Sequence, residues 1–151
     1  MRYICTVTIR SRVRMRSPRP RRGPTEANYR RLADFRYALR RFIRFSEEAA
    51  RSAGISPSQY QLLLFVRGFP DGPPTIAELA ERLQVAHHSA VGLVDRSVRA
   101  GLAERRHDDA DGRRVRVGLT PRGRFVLMRL VRAHSPEVDR LAAALFRGRV
   151  S

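Results

Sequence analysis

The chain has 151 residues with 42% hydrophobic content, enough to bury one core and build one domain. All 31 of its basic residues are arginine, against 14 acids, and the formal net charge of +17 favours an anionic partner. One cysteine excludes an internal disulfide framework and no apolar run nears the ~20 residues that span a bilayer, so a cytoplasmic protein is expected. Arginine's planar fork suits phosphate and guanine contacts. A genomic bias toward arginine codons nevertheless explains the missing lysine more simply than selection for that chemistry. Residues 1–30 carry nine arginines against Glu26, and 31–151 carry 22 against 13 acids, so the remainder is basic without its leader.

Residues 1–27 form a basic leader in which Pro18, Pro20 and Pro24 deny a helix and like charges repel, which predicts disorder. It reads either as an arm that grips phosphates or as sequence upstream of a translation start at Met15. From Asn28 the period becomes helical: Tyr29, Leu32, Phe35, Leu39, Phe42, Ile43, Ser46 and Ala50 make one apolar stripe. The stripe exceeds what a small domain needs, so part of it is expected to meet another subunit. Gly54 ends this helix.

Ser56-Pro57-Ser58-Gln59 is a capping box with proline at the first helical position, and it opens a helix whose Leu62 to Val66 run reads as buried. Gly68 to Pro74 is a loop by composition. Thr75 and Glu78 form a second capping box, opening a two-turn helix with Ile76, Leu79, Ala80 and Leu83 inward. A tight turn leads to another helix, about His87 to Ala100, with Val91, Val94 and Val98 inward and Gly101 at its end. His87, His88, Ser89 and Gly92 are left outward.

Leu102 to Arg106 and Val115 to Leu119 then read as two strands, joined by the turn Asp108-Asp109-Ala110-Asp111-Gly112-Arg113-Arg114. Thr120-Pro121 starts a long last helix with Phe125, Met128, Leu130, Val131, Leu141 and Leu145 as apolar contacts. Pro136 is expected to kink or restart it. The result is mainly α with a small β-hairpin wing: a winged helix-turn-helix of the α+β class, which inserts one helix into a DNA major groove.

In Ile76-Ala77-Glu78-Leu79-Ala80, Leu93-Val94-Asp95-Arg96, Ala100-Gly101-Leu102 and Asp111-Gly112-Arg113, followed by Leu119-Thr120-Pro121-Arg122-Gly123, the chain resembles the MarR (multiple antibiotic resistance regulator) family of transcriptional regulators. The resemblance covers roughly Tyr29 to Leu145. It implies a homodimer with paired terminal helices, within a domain over 28–151, that binds a palindromic double-stranded operator. By the same resemblance Arg113 enters the minor groove and Asp111 shapes the wing, while His87, His88 and Ser89 face the major groove. Gly92 departs from the pattern, since many members carry a longer, often basic side chain there. The chain also ends at Ser151, where many members continue into another dimerising helix.

The candidate DNA-binding residues are therefore His87, His88, Ser89, Gly92, Arg96, Arg106, Asp111, Arg113 and Arg114. Phe35, Leu39, Phe42, Tyr60 and His134 are candidates to line a pocket for a small aromatic effector, with ordinary core or dimer packing as their plainer role. Adjacent His87 and His88 diverge by ~100° on a helix and lack a third ligand at zinc spacing, so no metal or cofactor is expected. No nucleophile, base and orienter triad appears, which argues against an enzyme. The best reading is a sequence-specific transcriptional regulator, a repressor released by a small molecule. Its rivals are a basic RNA- or ribosome-associated protein and a winged-helix interaction module without specific DNA binding.

Overall fold

In a computed structural model the chain is described over residues 23–107 and 114–146, with side chains to 143. The elements are α1 (Glu26–Ser52), α2 (Pro57–Arg67), α3 (Ile76–Leu83), α4 (His87–Arg99), β1 (Ala103–His107), β2 (Val115–Leu119) and α5 (Pro121–Phe146). The expected leader through residue 22 and the hairpin tip from 108 to 113 lie outside the described residues.

Helix α1 begins three residues before the hydrophobic stripe, which opens at Tyr29, because Thr25 caps it. The Thr25 hydroxyl oxygen accepts the Asn28 amide at 3.3 Å, and the Asn28 side chain accepts the Thr25 amide at 2.9 Å. This is a capping box with asparagine in place of the usual glutamate or glutamine. At the far end Gly54 adopts φ +78°, the left-handed conformation that releases the chain from a helix. Ser56 and Gln59 form the box of α2, and Thr75 and Glu78 that of α3.

The turn between α3 and α4 uses no glycine. Gln84 takes φ +55°, and its side-chain amide donates to the Glu81 carbonyl at 2.7 Å, which fastens the turn. Composition alone does not reveal this position.

The core lies among α2, α3, α4, the hairpin and α5, with Leu62, Leu63, Leu79, Val94, Leu102 and Val117 fully buried. On α4 the inward positions are Ala90, Leu93, Val94 and Ser97, and Val91 lies only partly covered. Ser97 is tolerated at zero exposure because its hydroxyl donates to the Leu93 carbonyl at 2.9 Å. On α2 the expected run of burial breaks at Leu64, which is 38% exposed and faces α5.

Strands β1 and β2 pair antiparallel with Ala103 opposite Leu119 and His107 opposite Val115. The end of the α2–α3 loop joins them: the Val117 amide donates to the Pro74 carbonyl at 2.8 Å, and Thr75 forms a bridge with Arg116. What reads as loop by composition is thus a short third edge of the wing sheet.

Helix α5 buries Leu127, Leu130 and His134, while Phe125, Met128 and Val131 lie on its outer face. Pro136 does not restart it. The polar side chains of the preceding turn stay within the helix, since Ser135 donates to the Val131 carbonyl at 3.0 Å and His134 bonds that of Leu130 at 2.6 Å. No described helix is long and apolar enough to cross a membrane.

The start of α5 is seated on the turn that ends α4. Thr120 donates through its hydroxyl to the Gly101 carbonyl at 2.7 Å and through its amide to Leu102 at 3.2 Å, and Arg122 reaches the Ala100 carbonyl at 2.7 Å. Gly123 is pressed so close that a Cβ would lie 1.9 Å from the Leu102 carbonyl oxygen. Backbone on both sides cannot yield as a side chain can, so Gly123→Ala should cost at least ~3 kcal/mol. That corresponds to a fall in Tm of roughly 10 °C by circular dichroism; a loss under ~3 °C would contradict the packing argument.

Glu78 offers a second check. The Thr75 amide (2.7 Å) and then its hydroxyl (2.9 Å) donate to the Glu78 carboxylate and hold its pKa below the ordinary carboxylate value, with smaller help from Arg116 and Arg114. A lowered folded-state pKa means the stabilisation is complete above the unfolded value of 4.5 and fades as pH falls through the lower folded-state value. Urea titrations of wild type and Glu78→Gln should therefore differ most near neutral pH and converge toward pH 3. A gap that stays constant would show that the charge contributes nothing.

Candidate nucleic-acid interface and apolar recess

Helix α4 presents its first turn to solvent. His87, His88 and Ser89 are exposed, and Ala86 at the N-cap offers no side-chain hydrogen bond, in contrast to the capping boxes of α1, α2 and α3. The Ser89 amide donates to the Ala86 carbonyl at 2.9 Å, so the His87 and His88 amides are those left for an acceptor, and a helix N-terminus of this kind suits an anion.

One turn further along, Gly92 leaves a gap in the exposed face. The Arg96 guanidinium occupies it, 3.4 Å from where a Cβ on Gly92 would sit. The missing side chain at 92 is thus filled by an arginine head from 96, directed toward the helix N-terminus as long side chains on helices are. Arg96 makes no ion pair among the described residues. The neighbouring Asp95 is engaged elsewhere, bonding Arg105 of β1 at 2.6 Å.

That ion pair ties the wing to α4 across a half-exposed surface. Its worth in stability is small, about 0–1 kcal/mol, and its effect is to fix the angle of the hairpin. Sequence reasoning passed over Arg105. Only the strand alternation could have marked it, because residues two apart share a face.

Arg106 lies on the opposite face of the hairpin. It bonds the Glu104 carboxylate through Nε at 2.9 Å and also through Nη2, and its head rests over Gly118. The structure thus separates Arg106 from the exposed face of α4, whereas it brings Arg96 alongside His87 to Ser89. Arg114 directly precedes β2, and Asp111 and Arg113 fall outside the described residues.

A different site lies between α1, α2 and α5. A recess of about 270 Å³ is lined by Phe42, Tyr60, Leu64, Val131, His134 and Val138, with Ser135 and Asp139 at its polar edge. His134 is 4% exposed and is the hub. Its ring lies 4.7 Å from that of Tyr60, and edge-on to Phe45 at 5.2 Å and Phe42 at 6.1 Å. A carbonyl only accepts, so Nδ1 donates to Leu130 at 2.6 Å; in the neutral ring Nε2 then accepts the Ser46 hydroxyl at 2.9 Å. Burial raises the Tyr60 pKa above its ordinary value, which keeps the phenol neutral.

Of the five residues expected around an effector, Phe42, Tyr60 and His134 meet in this recess. Phe35 and Leu39 do not line it, because they sit earlier on α1, roughly 10 Å and 5 Å along the axis from Phe42 at 1.5 Å per residue. Leu64, Val131 and Val138 complete the wall. Their part depends on how α2 and α5 are set against each other, which no local signal in the sequence records.

Residues 53–114 match the sequence model of the MarR family. The chain is similar to the HTH-type transcriptional repressor YetL of Bacillus subtilis, 28% identical over 57% of this chain and 52% of YetL, so the match spans about half of that relative's length. Among solved structures it is similar to the MarR family transcription regulator SP03579, at 28% identity and TM-score 0.61, over 82% of this chain and 77% of that one. It shares its fold with a point mutant of MepR from S. aureus bound to an oligodeoxyribonucleotide, with TM-score 0.61 and 20% identity over 82% and 84% of the two chains. The matched segment runs from the residue after α1 through the helix-turn-helix to the start of β2. Over residues 53–114 the chain carries the sequence pattern of the MarR family, and its fold is similar to that of MarR family winged helix-turn-helix transcriptional regulators.

Proposed function

We propose that this chain acts as a homodimer that binds a palindromic operator in double-stranded DNA and represses transcription until a small aromatic effector releases it. The observation that carries the DNA-binding reading is the exposed face of α4. There His87, His88, Ser89 and the Arg96 head above Gly92 lie side by side, with the wing tied to the same helix through Asp95 and Arg105. A guanidinium held on the outer face of a recognition helix is the group that reads guanine through its O6 and N7. By the family pattern, Arg113 of the hairpin tip carries the same charge toward a narrow minor groove.

Dimerisation is supported by the apolar surface the single chain leaves open. Tyr29, Leu32, Phe35 and Ile43 on α1 and Phe125, Met128 and Val131 on α5 are all exposed, on the two longest helices. A patch of that kind on a water-facing helix calls for a partner, and a second copy supplies the same stripe by symmetry. The aromatic recess at His134 joins α1 and α5 to the winged unit. A ligand there that prefers one spacing of the two recognition helices would shift the population away from the DNA-bound arrangement.

Gel-shift titration on duplex DNA from the protein's own upstream region tests this reading. Arg96→Ala should weaken binding about tenfold or more, since one bidentate guanine contact is worth ~1–3 kcal/mol. Arg113→Ala should also weaken it while the dimer mass by light scattering is unchanged. Wild-type affinity should fall by about 10³–10⁵ between 50 and 200 mM salt if roughly 6–10 phosphates are contacted. Equal affinity for structured RNA, or no loss in either variant, would overturn the assignment.

The effector reading has its own check. Aromatic compounds that release DNA from the wild type should lose that effect in Leu64→Gln, which changes the recess wall at a position already open to solvent. Undiminished release would place the effector elsewhere.

A further inference from the structure

On the hairpin face turned away from Arg105 and α4, a recess of about 340 Å³ opens between the α2–α3 loop, the strands and the first turn of α5. Its apolar wall is Val66, Phe69 and Leu119, and three arginines stand around it: Arg67 from the end of α2, Arg106 from β1 and Arg124 from α5. None of them belongs to the exposed face of α4 or to the aromatic recess at His134.

Two of these guanidiniums are held in place by the fold. Arg124 donates through Nη1 to the Leu119 carbonyl at 2.6 Å, which leaves Nε and Nη2 for another acceptor. Arg106 is fixed by Glu104 and lies across Gly118, where a Cβ would come within 3.1 Å of its Nε. The glycine is what lets the guanidinium lie flat on the strand. Arg67 has no ion pair among the described residues. Three guanidiniums against the single carboxylate of Glu104 leave the recess two charges positive, around an apolar floor.

We infer that this recess binds a small amphipathic anion, an organic carboxylate or phosphate ester with an apolar body. The charge selects an anion, and planar guanidiniums bind carboxylate and phosphate oxygens in pairs. The floor of Val66, Phe69 and Leu119 favours a ligand with an apolar part over a bare ion, and the volume falls at the lower end of the range for small-molecule sites, ~300–1,000 Å³. Two of the three cations are already oriented by their own partners, so little side-chain freedom is lost on binding. The arginines come from α2, the wing and α5, so an anion bridging them would hold the wing against α2 and α5.

Isothermal titration calorimetry of the full chain against benzoate, phenyl phosphate, inorganic phosphate and benzylamine tests the inference. No DNA is present, so the outcome is independent of the DNA-binding reading. Benzoate and phenyl phosphate should bind once per chain, inorganic phosphate more weakly, and benzylamine not at all. Arg67→Gln should weaken both organic anions about tenfold or more through loss of a charge-assisted contact, with its circular dichroism unchanged. Gly118→Ala, which displaces the Arg106 head, should weaken them as well. Arg36→Gln, which removes an equal charge from the outer face of α1, should leave both affinities as they were. The inference is overturned if neither organic anion binds at millimolar concentration, if Arg36→Gln weakens binding as much as Arg67→Gln, or if inorganic phosphate binds as tightly as phenyl phosphate.

Discussion

The close approach of Gly123 to the Leu102 carbonyl is the constraint on which the other arrangements rest. The turn that ends α4, the strand that leaves it and the helix that follows the wing all meet at that contact. Helix α4 cannot tilt without carrying β1, and β1 cannot shift without moving the start of α5. Because α5 also packs along α1, the contact connects α4 to the long helices through backbone rather than through flexible side chains.

Arginine serves this fold in two distinct ways. Arg116, Arg122 and Arg124 donate to the carbonyls of Pro73, Ala100 and Leu119, which lie at loop ends and helix ends that lack amide partners. Arg105 fastens the wing through Asp95. In these places the guanidinium acts as a long, multiply donating cap, and its charge is incidental. Arg96, and Arg67 at the second recess, are the opposite case, exposed heads without an ion pair among the described residues. The large net charge therefore overstates how many arginines are available to an anion.

His134 has a comparable double character. Buried and bonded at both ring nitrogens, it joins α5 to α1 through Ser46 and stacks its ring with Tyr60 of α2. It satisfies the rule that buried polar groups find partners, and it also forms one wall of the aromatic recess. A ligand entering there meets a surface whose polar atoms are already used, so the recess offers mainly ring faces and aliphatic edges.

Element order and most boundaries were legible in the chain because they depend on local chemistry. Capping boxes at Ser56 and Thr75, left-handed glycines at 54 and 101, and the alternation of Val115 to Leu119 act over a few residues, and each appears where its pattern stands. The Thr25 and Asn28 box and the left-handed Gln84 are local too, but they use residue types less tied to those roles. Tertiary structure alone decided which outward residues share a surface. It set Arg96 in the gap over Gly92, turned Arg106 away from α4, opened Leu64 into the aromatic recess and kept Phe35 and Leu39 out of it. Those outcomes depend on how elements distant in sequence are packed, and helical or strand periodicity specifies a face without specifying what that face meets.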